Sequence, residues 1–234
     1  MFRYDPEVLE RFPGIRAGIV LAEGVVNGPA SPALAAAFAA EQRAVGAQLA
    51  GESLAELASI AAWRRAFSAF GVAPTKYRNA AEALLRRLQK QGELPAVSTL
   101  VDLGNLVSVR HQVPVAVIDP DRVRGGLTVA FARGDERFDD LGGTPGEHPE
   151  PGEVVFVDAE GEVAARRWCW RQSSASAVHP GSTRALIVTE AHHGAAAETV
   201  AAAVASFTAL FAEHLPDVAL RSAVLSPDAP AFAP

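Results

Sequence analysis

A chain of 234 residues, 49% hydrophobic and 21% charged, is long enough for one large domain or two small ones and is ordinary in composition for a globular protein. Its formal net charge of −6 argues against a dedicated nonspecific nucleic-acid binder, and its single cysteine excludes an internal disulfide, so a reducing cytoplasm is the expected setting. The apolar runs are interrupted by charges before the ~18 residues a membrane span needs, and the N-terminal MFRYDPEVLERFPG has acids where a signal peptide would be apolar.

Ile15 to Val26, a Gly/Val/Ile/Leu mixture, reads as a strand. Ser31-Pro32 then signals an N-cap with proline at the first helical position, and two Ala-rich helices are expected at 33–50 and 53–70. In the second, Leu54, Leu57, Ile60, Ala61, Arg64 and Phe67 follow helical spacing, apolar except at Arg64. Pro74 ends this section, and a further helix at 79–91 stops at Gly92.

Leu94 to Asp119, LPAVSTLVDLGNLVSVRHQVPVAVID, is an apolar run that holds Asp102, Asn105, Ser108 and Asp119 and is broken by Gly104 and Pro114. Such a run reads as a buried strand. Buried polar groups cost about 1–3 kcal/mol each without partners, so these four either form a structural network or line a pocket.

Beyond it, short Val/Ile/Leu/Phe runs alternate with turn signals at Pro120-Asp121, Gly125-Gly126, Arg133-Gly134-Asp135, Gly142-Gly143 and Glu160-Gly161. VVFVDAEGEVAARRW reads as a hairpin turning near 159–161, and 144–152 reads as a loop. A last helix at 195–215 puts Val200, Val204, Phe207 and Phe211 on one face, and SPDAPAFAP reads as a disordered tail. Helices, then strands, then a closing helix without βα alternation define an α+β fold.

Several chemistries find little support. His192 and His193 are adjacent on a predicted strand and point to opposite sides, and His111, His148 and His179 have no ligand spacing, so no metal is expected. Cys169, between Trp168 and Trp170, has arginines nearby but no histidine in sequence, and reads as a small buried hydrophobe. The two tryptophans read as core or rim residues first and as base-stacking platforms second. Arg64 to Lys90 carries seven cations, including Lys76, Arg78, Arg86 and Arg87, against the single acid Glu82. That is a solvated helix face or a surface for an RNA backbone.

The motifs VDLGNLVSV and PVAVID resemble the VD-x-x-N … P-x-x-x-x-D core of the B3/B4 domain, the editing module of the bacterial phenylalanyl-tRNA synthetase beta subunit, and more closely the freestanding proteins built on that domain. The likeness continues in order through Gly125-Gly126 before LTVAFARGDERF, then PGEVVFVDAEGEV, RRWCWRQSS and STRALIVTEA, covering about 76–191. It implies largely antiparallel or mixed sheets with flanking helices and a B3/B4-like domain at 76–215; outside the likeness, a strand and helical section at 1–75 is expected to pack on that domain, and 216–234 to form the disordered tail.

For function the resemblance implies hydrolysis of a mischarged aminoacyl-tRNA ester at the acceptor 3′ end. No cofactor, DNA or membrane partner is implied. Glu190 corresponds to the family's glutamate that reads the polar tip of the wrong amino acid, and Asn105 to an amide able to stabilise an oxyanion. Asp102, Gly104, Ser108, Asp119, Trp170, Arg171 and Ser173 fall on stretches that would line the substrate site, and Lys76, Arg78, Arg86 and Arg87 on the RNA side. Three departures stand out. Gly104 replaces a threonine, Ala116 replaces a histidine, and Arg167 to Arg171 replaces a Gly-rich turn. They leave open a noncatalytic tRNA- or protein-binding module, or a hydrolase or binder of small amino-acid derivatives.

Overall fold

The computed structural model describes residues 1–141, 143 and 146–233; Gly142 of the expected Gly-Gly turn and 144–145 of the expected loop lie outside them. The elements in order are β1 (Phe2–Tyr4), α1 (Pro6–Arg11), β2 (Arg16–Glu23), α2 (Pro32–Gln48), α3 (Ala58–Ala69), α4 (Ala80–Gln91), α5 (Thr99–His111), β3 (Val115–Ile118), β4 (Leu127–Phe131), β5 (Val154–Val157), β6 (Val163–Arg166), β7 (Arg171–Gln172), β8 (Arg184–Ala191), α6 (Ala196–His214), β9 (Ala219–Leu225) and β10 (Ala231–Phe232). Short polar side chains begin three of the helices. Asp5, Ser31 and Asn79 each accept from a first-turn backbone N–H, and Pro6 and Pro32 follow two of them. Gly92, at φ 79°, closes α4 in the left-handed conformation.

The strands form a six-stranded sheet, β10-β1-β4-β5-β6-β7, and a four-stranded sheet, β3-β8-β2-β9. The β1–β4 pair is parallel and the other named pairs are antiparallel, so the fold is α+β with mixed sheets. Gly126 permits the parallel pairing, because a Cβ there would meet the Met1 carbonyl oxygen at 2.5 Å.

Alternation along the four-stranded sheet divides the interior into two cores. On β2 and β8, Val20, Ala22, Ala185 and Ile187 face a core built with α2, α4, α5 and α6. Ala17, Ile19, Leu21, Leu186 and Val188 face the opposite way, toward the six-stranded sheet and α3. Helix α6 is long and apolar enough by length and composition to cross a membrane, yet Val200, Ala203, Phe207, Leu210 and Phe211 are buried against the sheet. Its apolar face serves the core.

Two expectations fail. The apolar run from Leu94 is not one strand: Thr99–His111 is helix α5, and only Val115–Ile118 is a strand. Leu100, Leu103, Leu106 and Val107 are all fully buried, so the continuous apolarity that imitates a central strand is that of a helix enclosed on nearly every side. Nor is the end of the chain a disordered tail. β9 pairs with β2 over seven residues, and Phe232 of β10 pairs with Phe2. The N-terminal strands likewise belong to both sheets, β1 beside β4 and β2 beside β8.

Candidate functional site

Where the two sheets face each other, two cross-strand pairs form opposite walls of a narrow cleft. Ala116 pairs with Val188 in the four-stranded sheet, and Phe156 pairs with Ala165 in the six-stranded one. The turn between β6 and β7 completes it with Trp168, Cys169 and Trp170, together with Arg171, Ala80 at the start of α4, and Glu190. The cavity is about 50 Å³, room for one or two groups the size of a water molecule.

That turn depends on two consecutive non-glycine residues in the left-handed region, Arg167 at φ 43° and Trp168 at φ 61°. Each such residue costs on the order of 1–3 kcal/mol and persists only where its surroundings fix it. Here they do. The Trp168 ring is fully buried, with its centroid 5.0 Å from Phe12, 5.3 Å from Trp63 and 4.8 Å from His192. Its Nε1 donates to Glu190 Oε1 at 2.9 Å.

Glu190 follows Leu186 and Val188 on the same face of β8, and so enters the cleft from its wall. Its Oε1 accepts from both the Tyr4 hydroxyl and the Trp168 indole, and among the described residues Oε2 has no hydrogen-bond donor. Burial raises its pKa to about 7, against which the Trp168 and Tyr4 hydrogen bonds act in the opposite sense. Burial first, and then the nearby Glu190 charge, push the Tyr4 hydroxyl and the Cys169 thiol well up. Cys169 is thereby held in its thiol form. Burial brings His192 down to about 3, so the imidazole is neutral among its aromatic neighbours.

The outer edge has a different character. Tyr77 and Trp170 stack edge to face at 5.0 Å, and the Arg167 guanidinium lies 4.0 Å from the first ring and 4.6 Å from the second. Arg171 covers Trp170 at 4.9 Å, and Lys76 covers Tyr77 at 5.0 Å. Arg171 also pairs with Asp140. A rim of aromatic faces interleaved with cations can take bases by stacking and phosphates by charge.

Of the residues read as a site from sequence, the structure brings Glu190, Trp170 and Arg171 together in the cleft. Asn105 sits on α5, which packs on the other face of the four-stranded sheet, and is not part of the cleft wall. Gly104 lies on the same helix, where a Cβ would meet Val117 Cγ2 at 2.9 Å, so its role is close packing of α5 on β3. Asp102 accepts from Val97 N–H at 2.9 Å, and Ser108 donates to the Val113 carbonyl at 2.7 Å. Asp119 accepts from Asp121 N–H at 3.0 Å and from Ser182 Oγ at 2.5 Å, and Ser173 donates to the Asp139 carbonyl at 3.1 Å. All four satisfy backbone at turns and helix ends, the structural alternative for buried polar groups.

The cations divide in the same manner. Glu82, fully buried, collects Arg64 at 2.8 Å, Arg86 at 2.9 Å and Arg78 at 3.7 Å. Those three hold α3, α4 and the preceding loop, whereas Lys76 and Arg87 are exposed. Sequence reasoning missed Tyr4, because a tyrosine in a three-residue strand carries no chemical signal before its partner is known.

A two-sheet α+β domain with a carboxylate in the wall of an intersheet cleft and a cationic aromatic rim is thus the class of molecule in hand. Residues 62–211, well over half of the chain, match the model of the B3/4 domain. The chain belongs to that family. In fold it is similar to an N-terminal fragment of the phenylalanyl-tRNA synthetase beta-subunit from Pyrococcus horikoshii, with a TM-score of 0.50 and 11% sequence identity. That likeness covers 94% of this chain and 50% of the fragment, so the chain spans half the fragment's length. No curated protein matches the sequence.

Proposed function

We propose that the cleft receives the aminoacyl group of an acylated tRNA 3′ end and that water hydrolyses the bound ester. The observation that carries this reading is the joining of two features at one opening: a buried acceptor, Glu190 Oε2, and the rim of Tyr77, Trp170, Arg167 and Arg171. The first suits an amino-acid side chain and the second suits the unpaired bases and phosphates that carry it. Membership of the B3/4 family supports the choice of tRNA, and the reading places the protein with tRNA in the cytoplasm.

In the proposed reaction a water oxygen attacks the ester carbonyl carbon, and the tetrahedral intermediate collapses by breaking the bond to the ribose oxygen. The ribose oxygen takes one of the water's protons and leaves as a hydroxyl, and the amino acid leaves as a carboxylate with the second proton passing to solvent. The neighbouring ribose hydroxyl relays the proton, and Arg171, the cation lining the cleft, faces the developing oxyanion. Asn105 has no part in this step from α5. An activated ester needs positioning more than a strong nucleophile.

The test is release of amino acid from a panel of correctly and wrongly acylated tRNAs. Selective release, lost in Trp170→Ala and Glu190→Gln, supports the reading. Lys76→Ala and Arg87→Ala should each lower the salt dependence of tRNA binding by about one phosphate contact. A noncatalytic tRNA-binding module is the second reading, favoured because Glu190 Oε1 is already taken by Tyr4 and Trp168. Binding without release would select it. Neither binding nor release would leave a small amino-acid derivative as the ligand, which the net charge of −6 suits.

A further inference from the structure

The dimensions and chemistry of the cleft restrict what can enter it. Its walls belong to sheet ladders, Ala116 against Val188 and Phe156 against Ala165. Phe156 is itself packed edge to face on Phe2 at 5.3 Å. On the inner side Trp168 is fully buried, anchored by its indole N–H to Glu190 and by its backbone N–H to the Val154 carbonyl at 2.5 Å. None of these surfaces can retreat without moving a core. Trp170 and Arg171, half-buried and exposed, can move, but they border the mouth and not the depth.

The cleft therefore stays near 50 Å³, which a hydroxymethyl group fits and a phenol ring exceeds. An occupant must also give a hydrogen bond to Glu190 Oε2, because desolvating that oxygen without a donor is costly.

We infer that the cleft selects small hydroxylated aminoacyl groups, seryl first and threonyl second, with Trp168 setting the depth and Glu190 accepting from the hydroxyl. The inference rests on the proposed function, whose substrate it specifies. Seryl places its carbon between Ala116 and Phe156 and its hydroxyl on Oε2. Threonyl adds one methyl, which the walls tolerate poorly. Alanyl fits but leaves Oε2 without a donor, and tyrosyl does not fit.

Binding of non-hydrolysable 3′-amide analogues of aminoacyl-adenosine, measured calorimetrically with the wild-type protein, tests this without relying on turnover. Seryl should bind about tenfold to a hundredfold more tightly than alanyl, with tyrosyl weaker still. Ala116→Leu, which fills the space, should abolish the seryl preference, its fold being checked by its melting transition. Tyrosyl binding as tightly as seryl would overturn the inference. So would equal binding of all four, which would put the common α-ammonium on Glu190. Binding by none would overturn both the inference and the proposed function. A seryl preference without hydrolysis of seryl-tRNA would overturn only the hydrolytic step.

Discussion

Glu190 makes a prediction about stability that needs no knowledge of the substrate. Its pKa is about 7 in the folded chain against an ordinary 4.5, so between these values the native state holds a proton that the unfolded chain has released. The contribution of Glu190 to stability must therefore fall as pH rises through this window. The contribution is fully present below about 4.5 and fully lost above about 7. The difference of about 2.5, at about 1.4 kcal/mol for each, gives about 3 kcal/mol. In the folded chain the Tyr4 hydroxyl and Cys169 thiol stay protonated and His192 stays neutral. The unfolded His192 takes up a proton below its ordinary 6.5, an opposite trend that a comparison with a Glu190 variant cancels.

Glu190→Gln is the appropriate comparison, because an amide oxygen can still accept from Tyr4 and Trp168 but never ionises. Urea unfolding of both proteins across the window removes the contribution of every other titrating group by difference. Near pH 4.5 the two should be about equally stable. Near pH 7.5 the glutamine variant should be more stable by about 3 kcal/mol, although it no longer presents a carboxylate to the cleft. A difference that stays constant from pH 4.5 to 7.5 would refute the claim that this carboxylate is desolvated.

Two other substitutions probe the frame around the cleft. Gly104→Ala forces a Cβ to within 2.9 Å of Val117 Cγ2; overpacking of about 1–3 kcal/mol should exceed the ~1 kcal/mol gained in helix propensity, and urea midpoints read the net loss. Glu82→Ala removes the common acceptor of Arg64, Arg78 and Arg86, whose side chains are 21%, 40% and 44% exposed and can turn to water. The cost should be about 1–3 kcal/mol in a thermal or urea melt, less than for a fully enclosed pair.

What the sequence makes legible follows from how local its determinants are. Ser31-Pro32, Asn79 and Gly92 mark helix ends by their own hydrogen bonds and dihedral preferences, and the structure places ends there. The 159–161 turn sits between β5 and β6 for the same reason. Helix α5 misleads because its periodicity is erased by enclosure. When nearly every face is buried, there is no polar stripe to show the 3.6-residue repeat. The C-terminal strands mislead in another way. Most of β9 is exposed or half-buried, and what holds it is the backbone ladder to β2, which no composition announces.

The site repeats this division. Glu190 is legible through the resemblance of STRALIVTEA to the family's motif, and the structure shows it as a carboxylate in conflict with apolar surroundings. The buried acids and serines of 94–119 are conflicts of the same sort, yet Asp102, Ser108 and Asp119 resolve theirs against nearby backbone. Glu190 instead finds its donors 186 residues away at Tyr4 and 22 away at Trp168, both on one oxygen, and it lines the cleft. A buried carboxylate satisfied entirely by backbone is a structural cap. One satisfied on a single oxygen, at a cost of about 3 kcal/mol in stability at neutral pH, is the one whose retention needs a ligand to explain it.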